Sequence, residues 1–204
     1  MKKVVQIVLG IAIIILAYIL IMQIMTPVKF NNEVKSREAA VIERLKDIRT
    51  AQRAYRSVYQ KFTPSMDTLV NFLLKDSMTF VRAMGSADDS AAVASGAFRR
   101  ENFKVAAIDT VFGTKRLTAE QIKDFPYIPY GEGNKFIMEA GDLMTGSQVV
   151  VPVFECRAPY KSFLGDLDEQ QLINLIDLRK SLGKYEGIKA GSMTEATNEA
   201  GNWE

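Results

Sequence analysis

The chain has 204 residues, with 26 Lys plus Arg against 24 Asp plus Glu, a single Cys and no His. Lys2 and Lys3 account for the whole excess of positive charge, so the rest offers no basic stripe for nucleic acid. The lack of His removes the usual general base, the commonest transition-metal ligand and the pH switch, and one Cys rules out an internal disulfide.

The first element runs from Val4 to Met25. It holds no charged residue, and its 22 residues would span roughly 33 Å as a helix, enough for a ~30 Å hydrocarbon core. Lys2 and Lys3 resemble the basic head of a signal peptide. However, the apolar run exceeds the roughly 7–15 residues of a signal core, and no small-x-small cleavage site follows. The expectation is an uncleaved signal anchor: a cytoplasmic tail at 1–3, a transmembrane helix at 4–25, and everything after it tethered. Lys29, Lys35 and Arg37 beyond the span balance the basic residues before it, so charge alone does not set the orientation. A short basic tail before a long apolar run places the C-terminal domain outside the cytoplasm.

Thr26-Pro27 allows a kink and Asn31-Asn32 offers a cap, so whether the spine helix is continuous with the span through Pro27 stays open. From 26 to 62 the pattern is that of a spine helix. Val34, Glu38, Val41, Leu45, Ile48, Gln52, Tyr55, Tyr59 and Phe62 recur at alternating steps of four and three. Arg37, Glu43, Arg44, Lys46, Asp47, Arg49, Arg53 and Arg56 fill the opposite face. Two readings of the stripe stay open: packing on the chain's own sheet, or partner contact through Val34, Glu38, Val41, Leu45 and Ile48. The polar Glu38 favours partner contact in the first half.

Thr63 and Pro64 predict the cap and first turn of a short helix over Ser65–Leu74. Met78–Met84 reads as a strand, 85–101 as a small-residue loop, and Phe103–Thr110 as another strand. Thr118 and Gln121 have the spacing of a capping box. Lys135–Glu139 and Gln148–Cys156 read as a hairpin around GDLMTGS. Asp168–Leu182 reads as a helix ended by Gly183, and Gly187–Ala190 as a last strand. The fold class expected is α+β, with the spine on a small antiparallel sheet and the globular part over 63–204.

Three stretches together resemble the type IV pilin-like proteins, especially the major pseudopilins of type II secretion. They are Asp47 through Tyr55 with Tyr59–Ser65; Tyr127–Tyr130 with Gly133, Asn134 and Phe136; and Gly201-Asn202-Trp203. The segment from about 142 to 183 is an elaboration of that plan. The tail, with VPVFEC and LDEQQLINL, also resembles an uncharacterised bacterial family of single-pass membrane proteins. Pilin-like precursors carry a charged leader ending in Gly and a Glu near the start of the apolar helix. Here Gly10 follows an apolar stretch and the span holds no Glu, so neither prepilin cleavage nor polymerisation by that route is expected. The pseudopilin resemblance implies a calcium site in the loop before Asn-Trp, which matches Glu195, Asn198 and Glu199. Read from the residues alone, that loop has no Asp and no EF-hand spacing, so a solvated C-terminal loop with no cofactor is the default reading and calcium the alternative.

No nucleotide-binding loop or nucleophile–His pair is present. Asp88-Asp89 and Asp166/Asp168 sit in expected turns or caps, Lys161-Ser162 lacks a catalytic spacing, and Cys156 lies in a strand with nothing to activate it. The expectation is a non-catalytic, membrane-anchored scaffold subunit of a bacterial envelope assembly. It would sit in the inner membrane with its domain periplasmic or extracellular, and would contact envelope proteins or further copies of itself. The alternative is a tethered binding or sensor module that works through the 142–165 hairpin.

Overall fold

A computed structural model describes residues 2–84 and 99–204. The first helix, α1, runs unbroken over Lys2–Tyr59. At 1.5 Å per residue its 58 residues reach about 87 Å. It is the one described helix long and apolar enough to cross a membrane, and its apolar side chains from Ile7 to Met25 lie open rather than packed on the chain.

The cap at Asn31-Asn32 does not form, and Thr26-Pro27 does not end the helix: α1 is continuous across both positions, with Pro27 inside it. A proline there removes one N–H, the donor to the carbonyl four residues back. The Thr26 hydroxyl donates to the Met22 carbonyl at 2.9 Å, adding a bond one step away from that gap. The helix ends where Gln60 turns left-handed at φ 60°, its N–H still bonding the Arg56 carbonyl at 2.8 Å.

The turn beyond is fixed from inside α1. Gln52 is fully buried, its amide N–H donates to the Thr63 carbonyl at 2.7 Å, and its oxygen accepts the Thr63 N–H at 3.2 Å. One amide thus satisfies both backbone groups of a residue that water cannot reach. Helix α2 (Met66–Lys75) then starts from Ser65, whose hydroxyl accepts the Thr68 N–H, two residues later than the expected Thr63 cap. Leu69, Phe72 and Leu73 bury its inner face.

Strands β1 (Ser77–Met84) and β2 (Arg99–Ala106) form an antiparallel ribbon of their own. Most of the expected 85–101 loop lies outside the described residues, as do Asp88 and Asp89, while 99–101 belong to β2. The strand expected over Phe103–Thr110 stops at Ala106. Ala107 enters the core and a short helix α3 (Ala107–Phe112) takes over, burying Ala107 and Phe112. Helix α4 (Ala119–Lys123) opens with the expected capping box of Thr118 and Gln121.

The main sheet is β3 (Ile137–Met144), β4 (Val150–Pro159) and β5 (Gly187–Gly191), antiparallel in that order. The hairpin is longer than expected. Gly141–Met144 pair with Val150–Val153, and only Thr145–Val149 turn, closed by the Thr145 N–H on the Val149 carbonyl. The Tyr160 N–H bonds the Glu186 carbonyl on the β5 side, so even-numbered β4 residues face that edge. Pro152 is therefore tolerated mid-strand: β5 pairs only with Glu155–Pro159, and no ladder donor is needed at 152. Helix α5 (Glu169–Ser181), capped by Asp168, crosses from β4 to β5. Gly191 closes β5 at φ +77°, and a side chain there would strike the Phe154 carbonyl.

Candidate functional site

The stripe of α1 is spent inside the chain. Val41, Leu45, Ile48 and Ala51 are fully buried, and Phe30, Val34 and Tyr55 nearly so, in one core with Phe125, Phe154, Phe163 and Ile188. This corrects the expectation of partner contact through Val34, Val41, Leu45 and Ile48, which have no surface left to offer. Glu38 is accounted for internally as well. It accepts the hydroxyl of the fully buried Tyr160 at 2.7 Å, with the Arg179 guanidinium 4.0 Å away. Burial and that bond push the Tyr160 hydroxyl's pKa up, so Glu38 keeps a neutral donor.

The charged face of α1 is not simply solvated. Arg37 reaches Asp166 through both terminal nitrogens and bonds the Phe163 carbonyl at 2.9 Å. Its guanidinium holds the Asp166 carboxyl below the usual carboxylate range. Lys115 reaches Asp47 at 2.5 Å, and Arg44 bonds the Asp124 carbonyl at 2.7 Å. Flanking segments are thus tied to the helix along its length by charge-assisted bonds.

The densest of these ties is at the C-terminus. Glu199 is left-handed at φ 59° and its side chain is 6% exposed. One of its oxygens accepts from Arg53 and the other from Arg56, each at 2.9 Å. Arg49 adds Glu204 at 2.6 Å and the Glu199 carbonyl at 3.3 Å. The Gly201 segment bridges Ala190 of β5, and Asn202 bonds Lys189 and Gly187. Trp203 is half-buried beside Arg49, its indole N–H enclosed and without a partner among the described residues.

This geometry corrects the calcium expectation. Both Glu199 oxygens are already held by guanidinium groups, Asn198 offers its carbonyl to Arg53 at 3.2 Å, and Glu195 is exposed beyond them. Two arginines thus occupy the carboxylate a calcium ion would need. The loop forms a depression of about 210 Å³ with Val151–Phe154, smaller than typical ligand pockets. Cys156 is fully buried and burial pushes its thiol up, so it is no nucleophile.

What α1 leaves open is a narrow seam of Lys35, Ala39, Glu43, Lys46, Thr50 and Ser57, recurring at helical spacing. Alongside it lies a shallow groove walled by Ala39, Ile42, Glu43, Lys46, Lys115 and Trp203. The sequence places Glu43 and Lys46 on the charged face and Trp203 in the C-terminal stretch, without bringing them together. Only the return of Trp203 from the far end of the chain makes a groove of them. No protein-family model, no curated protein and no solved structure matches the chain.

Proposed function

We propose that this protein is a non-catalytic, single-pass membrane subunit whose helix α1 serves as both anchor and structural spine of an envelope assembly. The observation that carries this reading is the continuity of α1. One helix holds the apolar stretch and, with no linker, supplies the centre of the domain core from Phe30 to Tyr55. Such a joint transmits position and orientation from the membrane to the domain, which suits a scaffold. A freely searching tether would need a flexible connection, as Gly/Ser-rich linkers provide. The buried, unreactive Cys156 and the lack of His support a role without chemistry. By the same reading the domain lies outside the cytoplasm, as the short basic tail suggests.

A tethered binding module is the second reading. It is favoured by the exposed Met144, Val149 and Val150 at the β3–β4 turn. In-cell cross-linking of the full-length chain with mass spectrometry separates the two. A spine subunit gives links from Lys35 and Lys46 along the open seam, to envelope proteins or to a second copy. Links confined to the β3–β4 turn and one unrelated protein, with none along α1, would overturn the scaffold reading.

A further inference from the structure

We propose that two copies of this chain join through β1, pairing edge to edge so that their ribbons form one four-stranded sheet. This deepens the anchored-subunit reading, on which it rests, by naming a second copy as the partner.

Among the described residues, the main contacts of the β1–β2 ribbon with the rest of the chain run through α2 and α3 at its base. A two-stranded ribbon on its own is marginal in water; a third and fourth strand make it stable. Its apolar side chains are correspondingly open. Phe80 and Phe103 face each other across the strands with ring centroids 5.8 Å apart, 36% and 45% exposed, and Val81 is 62% exposed.

The two edges of the ribbon differ in charge. β2 carries Arg99, Arg100, Glu101 and Lys104 among its eight residues, the composition that blunts an edge. β1 reads SMTFVRAM, with one charge and neither Pro nor Gly. Its outer edge is unpaired among the described residues. The Ala107 N–H bonds the Asp76 carbonyl, so even-numbered β1 residues point their backbone groups at β2. Ser77, Thr79, Val81 and Ala83 therefore point theirs outward.

An antiparallel pair of β1 strands centred on Phe80 is the one register that matches all four outward residues, Ser77 with Ala83 and Thr79 with Val81 of the other copy. No like charges meet in it. Phe80 faces its own counterpart at a non-hydrogen-bonded position, where side chains approach most closely. The Phe80–Phe103 stack becomes a row of four rings across the joint sheet. Anchoring both copies in one membrane raises their effective concentration.

The test uses cysteine cross-linking of the full-length chain in membranes. Cys156 is fully buried, so the unmodified chain gives the background. Phe80→Cys, and a co-expressed mixture of Thr79→Cys and Val81→Cys that keeps both rings, are expected to form disulfide-linked dimers on mild oxidation. Lys104→Cys on β2 is expected to stay at background. Adding Val81→Lys to Phe80→Cys places a charge on the outward edge and is expected to return the dimer to background. Equal cross-linking at positions 80 and 104, or none at 79, 80 and 81, would overturn the β1 pairing. If lysine links along α1 persisted in that case, the anchored-subunit reading would stand without it.

Discussion

At the residue scale, the contact that most shapes the C-terminus is the carboxylate of Glu199 between Arg53 and Arg56. The partners are unequally placed: Glu199 is 6% exposed, while the arginines are 47% and 40% exposed. Taking away the carboxylate leaves two guanidinium groups that water can solvate. Taking away both arginines leaves a buried, uncompensated anion. The double variant Arg53→Ala/Arg56→Ala is therefore expected to lose roughly 3–5 kcal/mol. Glu199→Ala should lose only about 1 kcal/mol, and combining all three should recover much of the larger loss. Thermal unfolding of the detergent-solubilised chain checks the order. Equal losses would show that the buried position of Glu199 carries no weight.

At the element scale, α1 holds three environments in one unbroken helix: open apolar surface to Met25, a core stripe from Phe30, and a clasped charged face from Arg37. Across Pro27 the helical period must then persist. Single cysteines at Asn31 and Lys35 are expected to react readily with a hydrophilic maleimide, whereas Phe30→Cys and Val34→Cys stay protected. Labelling without that alternation would mean that α1 breaks at Pro27. The same pattern with a membrane-impermeant reagent on whole cells reports which side of the membrane the domain occupies. Gln52 shows a second element-scale device, an amide that bonds Thr63 both ways and turns the chain into α2.

At the scale of the whole molecule, the proposed anchoring would turn residue number along the continuous α1 into height above the membrane. Glu38 lies 13 residues beyond Met25, so Tyr160 and its neighbour Lys161 stand about 20 Å above the end of the apolar stretch. Tyr59 lies 34 residues beyond it, which puts Lys61 at about 50 Å. A fluorophore at Lys161→Cys in vesicles is expected to be quenched by a headgroup-attached quencher much more than one at Lys61→Cys. Equal quenching would mean that the domain lies flat on the bilayer or swings freely.

The apolar run of Val4–Met25, the amphipathic period of the spine, the capping box of Thr118 and Gln121 and the Asp168 cap were legible in the sequence, because each depends on neighbours along the chain. The α+β class followed from their order. What lay beyond local pattern was which face meets what. By pattern, Glu38 points to a partner outside the chain, yet Tyr160 supplies one from 122 positions away. The pseudopilin resemblance implies calcium at Glu199, yet Arg53 and Arg56 of α1 hold it. Pro27 and Asn31-Asn32 carry strong local stop signals, but tertiary packing of Phe30 and Val34 overrides them. Local hydrogen bonding and periodicity are properties of a short window of sequence. The partner of a charge is chosen by the fold, since burial makes an unpaired ion costly and any residue brought within reach can supply the match.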